Sequence, residues 1–138
     1  MEIYTQQDDL ILFGTQVKTF PVGIMEAFDS LMKVVGNERA YYGISWFDED
    51  GNIIYYAMAP EMIAGEAKQY HYETLTLLKG NYLTETVEDW RSKTDSIKDV
   101  FQRLMADVRP NKKNLCIEWY QSDNKMLCMV KEQVIQNG

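Results

Sequence analysis

The feature that most constrains the fold is an internal repeat, offset by 73 residues, the distance from Ile24 to Ile97. Ile24, Phe28, Leu31 and Met32 recur as Ile97, Phe101, Leu104 and Met105, and Val35 recurs as Val108. With no gap, Ile44-Ser45-Trp46 then falls on Ile117-Glu118-Trp119, and Asp50 on Asp123. The first set of matches has the spacing of one apolar stripe on a helix, which predicts amphipathic helices over about residues 22–35 and 94–108. After each helix comes a hairpin pattern: Tyr41 to Phe47, Asp50-Gly51, Ile53 to Met58, and again Leu115 to Tyr120, Asp123-Asn124, Met126 to Lys131. Strand-like runs, Leu10 through Phe20 and Tyr70 through Leu78, precede the helices.

Each half therefore reads strand, helix, strand, strand. A three-stranded layer covered by one helix leaves its other face bare, and a tandem copy can cover it. The expected class is α+β, a tandem pseudo-two-fold repeat with mainly antiparallel sheet. A chain of 138 residues fits a single domain, with repeat one at about 8–59, a linker at about 60–69 and repeat two at about 70–133. The second half carries an insertion. Gly14 to Ile24 is 10 positions and Gly80 to Ile97 is 17, and the excess falls in Leu83 to Ser92, read as a loop or irregular helix start around Trp90.

Two-residue turns at Asp50-Gly51 and Asp123-Asn124 would put Ile117, Trp119, Met126, Cys128 and Val130 on one face, with Cys116, Glu118, Tyr120, Leu127 and Met129 on the other. In the first repeat, Ile44, Trp46, Ile53, Tyr55 and Ala57 match the first face; Gly43, Ser45, Phe47, Ile54 and Tyr56 match the second. The repeated Ile-x-Trp face is the expected seat of the helices, with Trp46 and Trp119 in the core. The opposite face then carries a carboxylate, Glu118, among Leu127, Met129 and Tyr120. Those neighbours make a poor solvent face, so Glu118 is expected to line a cleft, where a carboxylate attracts a cation and aromatic rings add to the attraction.

Composition removes several alternatives. A formal charge of -7 argues against direct nucleic-acid binding. One histidine, His71, two cysteines and no Cys-x-x-Cys pair leave little for a metal, and no glycine loop has phosphate-binding spacing, so no cofactor is expected. No apolar run spans a bilayer, and the acidic start has no secretory h-region, so a cytoplasmic location with reduced thiols is expected. About nine residues precede the first predicted strand, too few for a helix-turn-helix.

The chain resembles the GyrI-like small-molecule-binding domains, which also serve as effector-binding domains of bacterial multidrug-binding transcription activators. The resemblance rests on the tandem repeat, on Leu78-Lys79-Gly80-Asn81-Tyr82, and on Cys116-Ile117-Glu118-Trp119-Tyr120. It implies a central cleft between the repeats for flat, aromatic, often cationic molecules. Carried over, Glu118 is the ligand's counter-charge, with Tyr120 beside it, Tyr56 and Phe47 from the other repeat, and Trp90 closing one side. The expected partner is thus a small aromatic or cationic molecule. Two alternatives stay open: a hydrolase of strained electrophilic rings, with Glu118 as base and Tyr120 as hydrogen-bond donor, and an acidic module that binds a protein.

Overall fold

The computed structural model describes residues 1–36, 38–107 and 115–131. Eight strands form one antiparallel sheet: β1 (Glu2–Gln6), β2 (Leu10–Gln16), β3 (Tyr41–Phe47), β4 (Ile53–Pro60), β5 (Glu73–Leu77), β6 (Gly80–Glu88), β7 (Cys116–Tyr120) and β8 (Lys125–Lys131). Their order is β1-β6-β8-β7-β3-β4-β2-β5. Exchanging the two halves of the chain returns the same order reversed, which is the signature of a pseudo-two-fold axis. The axis passes through the central pair, where Ile44 lies opposite its own repeat mate Ile117. Helices α1 (Ile24–Val35) and α3 (Ile97–Ala106) are the repeated pair, and a short α2 (Glu66–Gln69) sits in the expected linker. Gly36, at a positive φ that favours glycine, ends α1 and donates its N–H to the Met32 carbonyl. No helix among the described residues is long and apolar enough to cross a membrane. Val108, the end of the second predicted helix, and the chain beyond Lys131 lie outside the described residues.

The connections force the sheet to curl. In a flat sheet β1 and β2 would be six strand spacings, about 29 Å, apart. The three residues between Gln6 and Leu10 reach only about 15 Å. The link from Leu77 to Gly80 also crosses six strand spacings, from the other edge, with still less chain. Both links are possible only if the edges bend toward each other into a half-barrel. Tyr4 on β1 accordingly meets Trp119 on β7 at 5.4 Å across the concave side, although two strands separate them in the sheet.

The two faces are filled differently. Among the described residues no helix lies on the concave face, which is packed with large residues: Leu12, Tyr42, Ile44, Met58, Leu77, Tyr82, Ile117, Leu127 and Met129 form one buried cluster. The convex face carries the helices, and there the strands supply small residues: Gly43, Ser45, Ala57, Ala59, Cys116 and Cys128. Leu31 and Phe28 of α1 pack with Phe13, Tyr41 and Ala59; Val100 and Leu104 of α3 pack with Met126, Cys128 and Val130.

Four expectations are corrected. The helices sit on the Glu118 face, and the Ile-x-Trp face is the concave one; Trp46 stacks on Tyr56 there and Trp119 on Tyr42. The hairpins are longer than two-residue turns: Phe47 pairs with Ile53 and Tyr120 with Met126, leaving five residues between. In the first hairpin the Asp48 carboxylate accepts the backbone N–H groups of Asp50 and Asn52, which holds the wider loop together. The resulting one-residue slip moves Tyr55, Cys128 and Met126 onto the Glu118 face, and Tyr56, Leu127 and Met129 off it. Third, residues 2–6 form a strand, β1, where none was expected. Finally, Leu83 to Glu88 belong to β6, followed by two 3-10 turns, Trp90–Ser92 and Thr94–Ser96. Gly14 pairs with Met58 and Tyr82 with Lys131, so the counterpart of Gly14 is Tyr82 rather than Gly80. The local offset of 68, against 73 elsewhere, makes the insertion five residues long.

Candidate functional site

Glu118 is on β7, opposite Gly43 of β3 and Cys128 of β8. It is partly buried, on the side that carries the helices. The Tyr55 hydroxyl donates to its Oε1 at 2.7 Å and the Tyr120 hydroxyl donates to the same oxygen at 3.0 Å. Desolvation pushes the Glu118 carboxyl above its ordinary range, and the two phenol hydrogen bonds pull the other way. Both phenols are pushed well up, by burial first and then by facing Glu118. Cys116 shares the face, and burial together with Glu118 pushes its thiol up to about 11, which suppresses the thiolate and with it nucleophilic chemistry.

Gly43 makes this arrangement possible. A Cβ at that position would collide with the Tyr55 hydroxyl and with Glu118 Oε1. The carboxylate and phenol therefore lie directly over the β3 backbone, in space that any other residue would fill. Phe20 stacks on the Tyr55 ring at 4.9 Å and fixes it.

A cavity of about 680 Å³ opens beside this group, on the same side of the sheet. Its aromatic wall is Tyr41, Tyr120, Phe28 and Trp90. Tyr41 and Tyr120 are directly opposite each other across β3 and β7, and the Phe28 ring stands edge-on to both. Trp90 meets the Tyr120 ring at 4.8 Å, and its Nε1 donates to the Ser122 carbonyl at 3.3 Å. Met25 and Met32 of α1 also line it, with Asp29, Glu38, Arg39, Arg91 and Asp123 among the polar lining. Glu118 does not itself line the cavity. It lies one strand step deeper, behind the Tyr120 phenol.

The structure thus gathers three of the five residues named from the sequence, Glu118, Tyr120 and Trp90. It does not bring the other two there: Tyr56 faces the concave side, and Phe47, 56% exposed at the end of β3, is outside the lining. Tyr55, Tyr41 and Phe28 are the residues the sequence reading did not assign to the site. A glycine in mid-strand, Gly43, is the signal that could have revealed the close contact. Chemically, the group can compensate a cation or hold a proton. Among the described residues no cluster of three metal-ligating side chains occurs.

Arg39, on the cavity wall, is held from behind. It donates to both oxygens of Glu66, at 2.9 and 3.1 Å, and to the Pro60 carbonyl at 3.0 Å. Glu66 also accepts the N–H groups of Met62 and Ile63, and Arg39 above all holds its carboxyl down at about 2. This ion pair is structural: it ties α2 to the loop that enters β3.

No sequence family and no curated protein matches the chain. Solved structures do share its fold. A protein called SAV2435, solved bound to tetraphenylphosphonium, is similar at 15% identity with a TM-score of 0.64, over 94% of this chain and 93% of that one. An integron cassette protein from Vibrio cholerae is similar at 12% identity and TM-score 0.66, over 96% and 100%. A hydrolase from Listeria innocua is similar at 13% identity and TM-score 0.51, over 94% and 89%. At these identities the likeness extends to the fold.

Proposed function

We propose that this chain binds small aromatic cations in the cavity between α1 and the Trp90 turn, with the two repeats acting as one domain of the GyrI-like kind. The observation that carries the reading is Glu118 Oε1, bridged by two phenols immediately behind the aromatic wall. A charge about 7 Å from a ligand, at an effective dielectric of about 20, contributes about 2 kcal/mol, roughly 30-fold in affinity. Aromatic edges and faces in the wall add to that, and the two methionines supply adaptable apolar surface. The similar protein that holds tetraphenylphosphonium supports this ligand class. The cellular role that fits is sensing or sequestering such molecules in the cytoplasm.

The test compares tetraphenylphosphonium with neutral triphenylphosphine oxide by isothermal titration. Glu118→Gln should weaken the cation by at least tenfold and leave the neutral compound within about twofold. Equal losses for both would remove Glu118 as the counter-charge. The same pair, Glu118 as base and Tyr120 as donor, would serve the hydrolase reading; recovering the ligand chemically unchanged after incubation excludes that reading for the compound used.

A further inference from the structure

Resting on the binding reading above, one residue of the cavity takes on a specific role. Arg91 is the second residue of the Trp90–Ser92 turn, inside the five-residue insertion. Its guanidinium carbon lies 4.9 Å from the centroid of the Trp90 ring. Its Nε donates to the Asp123 carbonyl at 3.2 Å, and Nη2 is 3.7 Å from the Asp123 carboxylate. Arg91, Trp90 and Asp123 all line the cavity. The turn that carries them is fastened to the β7–β8 loop by three hydrogen bonds to backbone carbonyls, from Asp89 N–H to Asn124, from Trp90 Nε1 to Ser122 and from Arg91 Nε to Asp123. A planar, delocalised cation thus already stacks on the tryptophan, with a carboxylate at its edge.

We infer that Arg91 is a tethered competitor: its guanidinium occupies the Trp90–Asp123 subsite that the charged or π-deficient part of an incoming organic cation would take. Arg91 is 59% exposed and its ion pair is long, so its hold is weak. An external cation can displace it, and the guanidinium then swings into solvent. The arrangement selects ligands. A cation that stacks better on Trp90 than a guanidinium does displaces it, while a small hydrated cation does not. A neutral aromatic gains the ring face but none of the attraction of Asp123.

The test is tetraphenylphosphonium titration of the full chain, Arg91→Gln and Arg103→Gln. Arg103 pairs with Glu85 beside α3 and lies outside the cavity lining, so its substitution removes the same charge at a distance. Arg91→Gln should tighten binding by about three- to tenfold, the worth of one exposed cation–π contact and one surface ion pair, and Arg103→Gln by less than twofold. Binding seen only in Arg91→Gln also establishes the competitor. If the unaltered chain binds and Arg91→Gln binds no better than Arg103→Gln, the competitor is refuted while the binding reading stands. If none of the three proteins binds, both are refuted.

Discussion

Gly43→Ala is the most exacting test of the site's geometry. Gly43 lies in the middle of β3, outside the left-handed region, so alanine can adopt its backbone. On chain entropy and strand propensity alone the change would stabilise the fold by about 0.5–1 kcal/mol. The structure reverses that sign. The new methyl would collide with the Tyr55 hydroxyl and Glu118 Oε1, and would lie 2.8 Å from Tyr55 Cζ. The carboxylate can rotate away, but the Tyr55 ring cannot follow cheaply, being 3% exposed and stacked on Phe20. Overpacking costs about 1–3 kcal/mol, and losing a hydrogen bond to a charged group about 1.5–3 kcal/mol. Less the entropic gain, the net loss is about 2–5 kcal/mol. With a urea slope of about 2 kcal/mol/M, the midpoint falls by roughly 1–2.5 M. Equilibrium urea unfolding at pH 7 reads this directly. In a Tyr55→Leu background, where the ring is gone, the cost of Gly43→Ala should shrink to less than half. A neutral or stabilising Gly43→Ala, or an equal cost in both backgrounds, would show that the carboxylate and phenol do not lie over the β3 backbone.

Two further predictions concern pH and have opposite signs. Glu66, held at about 2 in the folded chain against 4.5 when free, contributes stability that is present above pH 4.5 and is lost as pH falls toward 2; acid titration of the urea midpoint should show about 2–3 kcal/mol of loss, and Arg39→Ala should remove most of that acid limb while costing about 3–5 kcal/mol at pH 7. Glu118, raised in the folded chain, contributes stability below pH 4.5 that is lost as pH rises through its folded value; over that window Glu118→Gln should flatten the decline, and tetraphenylphosphonium affinity should rise with pH in the unaltered chain only.

The duplication and the α+β class were legible because helix stripes and hairpins repeat at a fixed offset that needs no knowledge of contacts. The faces were harder. Asp123-Asn124 reads as a two-residue turn, yet the chain closes a loop with five residues between Tyr120 and Met126, and a slip of one residue exchanged Tyr55 for Tyr56. Side-chain volume held part of the missing information: the concave side is filled mainly by Ile, Leu, Met, Tyr and Trp, whereas most of the small strand residues lie beneath the helices, among Phe13, Tyr41, Tyr55 and Met126. By that criterion Gly43, Ser45, Ala57, Cys116 and Cys128 mark the helix side. β1 was missed because Glu2-Ile3-Tyr4-Thr5-Gln6 is an edge strand with little of its surface covered, so its sequence has no strong apolar run.

Electrostatics explains why the acid of this site has a serine, Ser45, at the related position of the other repeat. The pseudo-two-fold carries Glu118 onto Ser45, Tyr120 onto Phe47, Gly43 onto Cys116 and Tyr55 onto Cys128. Ser45 is opposite Cys116 and Glu118 is opposite Gly43, so the two acid positions would be diagonal neighbours on one face, about 7–8 Å apart. Two carboxylates at that distance, at an effective dielectric of about 20, repel by about 2 kcal/mol. Each would also bear its own desolvation. A second glutamate would therefore raise the first one's pKa further and tend to neutralise the charge on which the proposed cation binding depends. The scaffold supports one ionised acid near its axis. The repeats differ accordingly: one position has the carboxylate with its two phenols, and its image has a serine. The Trp90 insertion, found in the same repeat as the acid, lies against Tyr120, one of the two phenols that hold it.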